Sequence, residues 1–390
     1  MDELAKIRGR KVAAPITPRW TEDKNRLASV DEDKRERLMQ SSGGAGPAPL
    51  QHLPLLDGWR ALSITLVLAG HLVPIGPSGW QLNEPTAATG MVMFFTLSGF
   101  LITRFLIEDG DIRRFLIRRL LRIVPLGWLG MLLAFVVAGG ANTGEIFGNL
   151  LFVANLPPAS LVAPGAHFWS LCLEVQFYLS VALLVAVGGK RALLIIPLAS
   201  AAITCARFYW QEPISIVTWF RADEILAGAT LALIYEGWFG ERVRRMVARP
   251  SIFLLLPLLF ASADVRIGYL PYLRPYICAL MIGASLYNAP GWLRTLCEWR
   301  SVVYVAQTSY ALYVFHGIFA GSWLGSGDTL VKYAKRPFLL AATFACAHLS
   351  TFHYERRWNS LGRRLAGRSA RADVAAGLAQ DAAMPKNPLA

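Results

Sequence analysis

Apolar residues recur along this chain in runs close to the length that crosses a membrane. A helix spanning the hydrocarbon core needs about 20 predominantly apolar residues. Ten stretches fit this pattern, and polar or basic segments separate them. We therefore predict an all-α polytopic membrane protein, with about ten transmembrane helices around a polar interior cavity. The predicted spans are 58–75, 89–107, 123–139, 167–187, 191–209, 214–235, 251–265, 271–288, 302–323 and 337–354.

The segments outside these spans are polar. Residues 1–51 mix both signs of charge and end in the small-residue run SSGGAGPAP, which is typical of a flexible linker. We predict a disordered cytoplasmic tail over 1–51, a membrane domain over 52–356 and a cytoplasmic tail over 357–390. The last tail is too short to form a second catalytic domain, so we expect the chemistry to use the membrane domain or a separate protein.

Basic residues concentrate in alternate loops, which predicts the orientation in the plasma (inner) membrane. Cytoplasmic loops carry an excess of Lys and Arg, whereas the loop over 140–166 has neither. Both termini are therefore predicted to be cytoplasmic, although Lys332, Lys335 and Arg336 lie in a predicted outer loop. The predicted inner clusters contain Arg113, Arg114, Arg118, Arg119, Arg122, Lys190, Arg191, Arg242, Arg244, Arg245, Arg249, Arg294, Arg300, Arg356, Arg357, Arg363 and Arg364.

The composition is typical of a membrane protein and argues against nucleic acid as a partner. Only 17% of residues are charged, against about 25% in soluble domains. The net charge of +13 comes from clusters beside apolar segments, so membrane topology and anionic lipids explain it without nucleic acid. The segment 112–122 alternates basic and apolar residues, as in an interfacial helix. Alternatively, its arginines hold a phosphorylated substrate, since guanidinium matches phosphate geometry.

The first predicted span contains two ionisable residues, Arg60 and His71. An Arg at the bilayer centre costs about 2.5–3.5 kcal/mol on insertion scales, and such residues usually face a cavity. Eleven residues of helix place both side chains on one face, roughly 16 Å apart along the axis. Asp57 lies one turn before Arg60 and near the same face. His71 is suited to proton transfer near neutral pH.

Three later spans also carry polar stripes, and together the four stripes predict one shared cavity. Each stripe alone is equally compatible with a structural hydrogen bond or a local ion pair. The residues are His167, Ser170 and Glu174 in the fourth span, Arg221, Asp223 and Glu224 in the sixth, and Tyr310, Tyr313 and His316 in the ninth.

Several established chemical motifs are missing from the sequence. There is no HExxH, GxSxG, Walker loop or Cys/His spacing typical of a metal site. The five cysteines include no CxxC pair and are interpreted as structural thiols. We predict an acid/base site that uses no metal.

Five motifs in order give the chain a resemblance to a known family. They are Leu56-Asp57-Gly58-Trp59-Arg60 through His71; FFTLSGFLI over 94–102; RRLLRIVP over 118–125; Trp169-Ser170-Leu171 with Glu174, Gln176, Phe177 and Tyr178; and Ser309-Tyr310 through His316. Together they resemble the acyltransferase-3 family of membrane acyltransferases that modify extracytoplasmic glycans. Two positions depart from the family pattern: Val175 stands where a second Glu is usual, and Glu355-Arg356-Arg357 lacks the usual Pro.

The resemblance implies an enzyme that moves an acyl group, with acetyl favoured, from cytoplasmic acyl-CoA to a hydroxyl of a polysaccharide or lipid-linked sugar. It implies a stand-alone form that lacks the fused hydrolase-like domain of some members and works beside polysaccharide-assembly proteins.

Roles for individual residues follow from the resemblance combined with the polar stripes. His71 is the predicted general base or acyl carrier, while Arg60 and Glu174 set the charge of the site. Arg119 and Arg122 are the predicted contacts to CoA phosphates. The predicted substrate or cavity residues are Asp57, Ser98, His167, Ser170, Arg221, Tyr313 and His316.

Two other functions fit the same polar residues. A proton-coupled transporter or flippase would use the stripes without acyl transfer. A sensor or assembly partner would tolerate the loss of His71. Only the enzyme consumes acyl-CoA and releases free CoA thiol.

Overall fold

The computed structural model describes residues 53–367, and within them the chain is helical, with no strand. The tail predicted over 1–51 and most of the one predicted over 357–390 lie outside the described residues. The helices, labelled in chain order, are α1 (Pro54–Leu72), α2 (Asn83–Glu108), α3 (Ile112–Val137), α4 (Thr143–Leu150), α5 (Trp169–Gly188), α6 (Ile196–Tyr209), α7 (Asp223–Tyr235), α8 (Gly240–Ala248), α9 (Ile252–Ser262), α10 (Leu270–Asn288), α11 (Gly291–Cys297), α12 (Arg300–Gly321), α13 (Thr329–Ala334) and α14 (Arg336–Leu349).

The predicted all-helical class is confirmed, but the number of ten spans is not. Among the described residues, five helical stretches are long and apolar enough to cross a membrane, and a sixth is added if α8 and α9, bent by 81° at their junction, form one broken span. The five are Asn83–Glu108, Ile112–Val137, Ala163–Gly188, Lys190–Tyr209 and Arg300–Gly321. These helices indicate a membrane protein.

The remaining predicted spans correspond to helices that are short or polar. Helix α1 has 19 residues, but Asp57, Arg60 and His71 lower its mean hydropathy. Helix α7 has only 13 residues and follows a 3₁₀ turn at Thr218–Phe220. After α14 the chain passes through a π-helical segment, Ser350–Glu355, and stays helical to residue 367.

Helix α2 is the central helix of the bundle, since 78% of its most apolar stretch is buried. It packs closely against α7 through glycines. A Cβ on Gly99 would overlap the backbone of Ile225, and one on Gly228 would overlap the backbone of Thr96. Small residues let membrane helices approach in this way, because packing rather than the hydrophobic effect drives their association. This packing fixes the face of α2 that carries Phe94 and Ser98.

The basic segment 112–122 is continuous with the third predicted span rather than a separate interfacial helix. Helix α3 begins after the N-cap Asp111, whose side chain accepts from the Arg114 amide, and runs through Pro125. Three arginines of this segment, Arg118, Arg119 and Arg122, line cavities that are described next.

Candidate active site

A large cavity, called here the histidine cavity, opens between α1, α2, α5 and the loops before α5 and α7. Its volume is about 940 Å³. Ser160, Ser215 and Asn155 add polar atoms to a largely apolar wall. Four of the predicted site residues line it: His71, His167, Arg221 and Tyr313.

Two histidines from distant parts of the chain meet at the edge of this cavity. His71, at the end of α1, has its Nδ1 3.0 Å from Nε2 of His316 on α12. The two rings are parallel, with centroids 5.2 Å apart. His316 is buried, whereas His71 is exposed. The structure thus places a solvent-accessible imidazole directly on a buried one.

The hydrogen bonds determine the tautomers of this pair when both rings are neutral. Nδ1 of His316 lies 2.6 Å from the carbonyl oxygen of Tyr313. A carbonyl only accepts, so His316 carries its proton on Nδ1, and its Nε2 accepts from Nδ1–H of His71. Within the part of the chain that the structure describes, His71 Nε2 is then left with a free lone pair. This is the arrangement of a general base whose other nitrogen is held by a partner.

The remaining polar groups at the histidine cavity hold one another in place. His167 Nε2 donates to the Val314 carbonyl at 3.1 Å, and the Tyr313 hydroxyl donates to the His167 carbonyl. The Ser170 hydroxyl donates to the Tyr313 hydroxyl at 2.7 Å. Ser170 and His316 are buried beneath the cavity rather than open to it, so we interpret both as positioning groups.

The other predicted site residues lie in a separate group of three neighbouring cavities, called here the arginine cavities. The smallest, of about 50 Å³, contains Arg60, Ser98 and Glu174. Two wider ones, of about 370 and 590 Å³, share Arg122, Asn359 and Arg363. The arginines lining the group are Arg60, Arg118, Arg119, Arg122, Arg356 and Arg363.

Glu174 and Glu355 are two buried carboxyl groups among these arginines, and Glu174 is the predicted one. It accepts from the Ser98 hydroxyl and from the Tyr178 hydroxyl at 2.5 Å. Arg60 forms an ion pair with Asp57 at 3.4 Å, and both line the widest arginine cavity. A carboxylate held by two hydroxyls among guanidinium groups stays fixed while leaving those groups able to bind an added anion.

Each of the four polar stripes thus contributes a residue to the histidine cavity, as predicted, but Arg60 and Glu174 line a separate cavity. Phe94 lines the smallest arginine cavity and Tyr313 lines the histidine cavity. Their rings stack with centroids 6.1 Å apart. This aromatic pair stands between the two sites, so Arg60 and Glu174 do not share a cavity with His71.

The structure contains a buried charge cluster that the sequence analysis predicted only in part, since it named Arg221, Asp223 and Glu224 but not their partners. Asp223 pairs with Arg207 at 2.5 Å, not with Arg221. Glu224 pairs with Arg274 at 2.9 Å and with Arg221 at 3.2 Å. The signal was present in the sequence, because Arg207 and Arg274 also interrupt apolar segments, where an ionisable residue is costly.

The described residues contain no group of three or more His, Cys, Asp or Glu arranged to hold a metal ion.

The match to a family defines the class of protein. The acyltransferase-3 family model, described as an acyltransferase domain, matches residues 53–360. The chain belongs to this family, which confirms the resemblance seen in its motifs.

Similar proteins include the peptidoglycan O-acetyltransferase OatA of Listeria monocytogenes, 25% identical over 320 residues that cover 68% of this chain and 49% of the relative. The putative peptidoglycan O-acetyltransferase YrhL of Bacillus subtilis is 24% identical over 315 residues, covering 68% and 48%. A putative O-acetyltransferase of Staphylococcus aureus strain COL is 23% identical over 316 residues, covering 68% and 50%. The chain spans about half the length of these relatives. No solved structure matches it significantly.

Proposed function

We propose that this protein is a plasma-membrane O-acyltransferase. It moves an acyl group, with acetyl favoured, from acyl-CoA to a hydroxyl of an extracytoplasmic polysaccharide or lipid-linked sugar. Family membership and the O-acetyltransferase names of similar proteins support the reaction class. The observation that carries the proposal is the contact between His71 and His316 at the edge of a cavity large enough for a sugar.

His71 is proposed as the general base. Its Nε2 takes the proton of the acceptor hydroxyl while the oxygen attacks the acyl carbonyl carbon. The new C–O bond forms, the bond to the leaving group breaks, and the proton passes to that group. In the alternative form, Nε2 itself attacks the thioester carbonyl carbon, and the C–S bond breaks to release CoA as the thiolate. The acceptor oxygen then takes the acyl group from His71, and the hydroxyl proton passes to the thiolate, which becomes the thiol. General-base catalysis is worth about 10²–10⁴-fold.

The arginine cavities are proposed to hold the donor. Arg119 and Arg122 lie on adjacent turns of α3 and line two cavities together. The phosphates of CoA suit such guanidinium groups, which bind them through paired charge-assisted hydrogen bonds. Arg60 and Glu174 are proposed to set the charge at the end of this site nearest Phe94.

The proposed topology places the two sites on opposite sides of the membrane. Both termini are cytoplasmic, with about ten spans over 52–356 and tails at each end. Arg60 is near the start of α1 and His71 at its end, so the arginine cavities face cytoplasmic acyl-CoA and the histidine cavity faces the acceptor. The excess of basic residues at the first of these sites supports this orientation.

Transport without chemistry is the second candidate function. Two cavities separated by the Phe94–Tyr313 pair also suit a protein that passes a solute from one side to the other. The two functions differ in the fate of the thioester, because only the enzyme releases free CoA thiol when the acceptor is present.

The test compares ester-linked acyl groups on surface glycans, measured by NMR before and after mild base. Deletion strains carry the wild-type protein, His71→Ala or His353→Ala at matched membrane abundance. His353→Ala is the control, because His353 is exposed and lies outside both sites. Purified protein is assayed in parallel for thiol release. We expect acylation and thiol release with wild type and His353→Ala only. Acylation unchanged by His71→Ala would refute the role of His71 as the general base. Acyl transfer without thiol release would refute acyl-CoA as the donor.

A further inference from the structure

The buried charge cluster next to the histidine cavity has no role in the mechanism above. It contains Arg207, Arg221 and Arg274 with Asp223 and Glu224, and all five are buried. Three positive charges stand against two negative ones, which leaves an excess of one positive charge. Charges removed from water are normally paired or neutralised, so this excess calls for an anion.

The excess is shared by Arg221 and Arg274, since each has an Nη1 that is buried without a hydrogen-bond partner among the described residues. Arg207 is fully engaged, by Asp223 and by the carbonyls of Glu212 and Pro213. Arg274 contacts Glu224 through two of its nitrogens. Arg221 shares that same carboxylate through Nε alone.

Arg221 is also the member of the cluster that reaches the histidine cavity. It lines the cavity together with Trp169, and its Cζ lies 5.2 Å from the centre of the Trp169 ring. Stacking on an aromatic face orients a guanidinium group and leaves its edge available to a bidentate acceptor. The other charged residue lining this cavity, Glu84, is exposed, so water screens its repulsion of an anion.

We infer that Arg221 forms an anion-binding subsite in the histidine cavity, and that it holds a carboxylate or phosphate of the acceptor. This inference rests on the proposed function for the identity of its ligand. The subsite would select acidic sugars, or sugars linked through phosphate, over neutral ones. It would also hold the acceptor so that its hydroxyl is presented to His71 in the same cavity.

The binding test uses the full chain in detergent with saturating coenzyme A, so that the arginine cavities are already occupied. The shift in thermal unfolding midpoint is measured with three probes: a galacturonic acid trimer, a galactose trimer and inorganic pyrophosphate. We expect stabilisation by the acidic trimer, by pyrophosphate, or by both, and none by the neutral trimer. The pattern distinguishes a carboxylate from a phosphate site. Equal response to the acidic and neutral trimers, with none to pyrophosphate, overturns the inference.

Matched variants separate direct contact from a structural role. Arg221→Gln and Arg274→Gln remove the same charge from the same cluster, but only Arg221 lines the cavity. We expect Arg221→Gln to weaken binding of the anionic probe by about ten- to a hundredfold, the effect of losing a charge-assisted hydrogen bond. We expect Arg274→Gln to leave the affinity within a few-fold of wild type. Equal losses in both variants would contradict direct contact. If either variant does not fold, the wild-type probe pattern still decides.

A separate measurement of thiol release from acetyl-CoA distinguishes failure of this inference from failure of the proposed function. An anion preference without thiol release would retain the subsite and reject the acyltransferase mechanism. Thiol release that is equally fast with neutral and acidic acceptors would retain the enzyme and reject the subsite.

Discussion

The histidine cavity and the arginine cavities use polar residues in opposite ways. In the first, neutral histidine, tyrosine and serine side chains hydrogen-bond one another, His71 Nε2 has no hydrogen-bond partner among the described residues, and Arg221 adds one positive charge. In the second, six arginines stand against the carboxyl groups of Glu174, Asp57 and Glu355, and the surplus is positive charge. Proton transfer requires a group of fixed tautomer, whereas anion binding requires unneutralised charge. One helix, α1, therefore contributes to two kinds of chemistry at its two ends.

The largest effect is expected from the reactive end of α1. His71→Ala removes the free Nε2, so kcat for acyl transfer falls by about 10²–10⁴-fold. Acyl-CoA binding stays within a few-fold of wild type, because the donor occupies the other cavities. Initial rates of thiol release and equilibrium binding of acyl-CoA measure the two quantities. A variant that loses both to the same degree would show that the two cavities are not functionally separate.

The next effect concerns the donor site. Arg122→Gln removes a charge that lines all three arginine cavities, and the Kd for acyl-CoA rises by about ten- to a hundredfold, as for a lost charge-assisted hydrogen bond. Isothermal titration with coenzyme A checks this value. Arg245→Gln, on the exposed surface of α8, is the control and leaves it unchanged. Equal losses in both variants would indicate general attraction to positive charge.

A smaller effect is expected from the residue beneath His71. His316→Phe removes the acceptor that holds the proton on Nδ1 of His71, and kcat falls by roughly five- to thirtyfold, the value of one hydrogen bond to a reacting group. His316→Gln offers a side-chain oxygen at a similar position and restores part of the rate. Rates at matched protein concentration test this. Equal activity of the Phe and Gln variants would exclude a positioning role.

The smallest effect sharpens the boundary between the cavities. Phe94→Ala opens the aromatic partition, so water reaches the donor more easily and thiol release without acceptor rises by a few-fold. Phe338→Ala, which truncates an exposed aromatic residue on α14, serves as the control. Unchanged background release in Phe94→Ala would mean that the Phe94–Tyr313 pair is not the barrier.

Much of the fold and several site residues were predictable from the sequence. The helical class and the membrane setting follow from apolar runs, because the bilayer accepts only segments that satisfy their own backbone hydrogen bonds. Arg60, His71, Glu174 and Arg221 stood out because ionisable groups within apolar segments are costly and therefore rare. The number of spans was less accessible, since helices such as α7 and α9 are too short to decide from composition.

The sequence alone also identified the family, because its motifs are read from residue spacing. One of them is the spacing of eleven positions between Arg60 and His71. What the tertiary structure decided is how those residues are used. Sharing a helix face did not bring Arg60 and His71 into one site, because the rise of a helix keeps them roughly 16 Å apart. His71 instead meets His316, 245 positions away, and Arg221 shares Glu224 with Arg274. Hydropathy reveals which residues are costly to bury. Only the packing of distant helices reveals which partner offsets that cost and which group, such as His71 Nε2 or Arg221 Nη1, has no partner within residues 53–367.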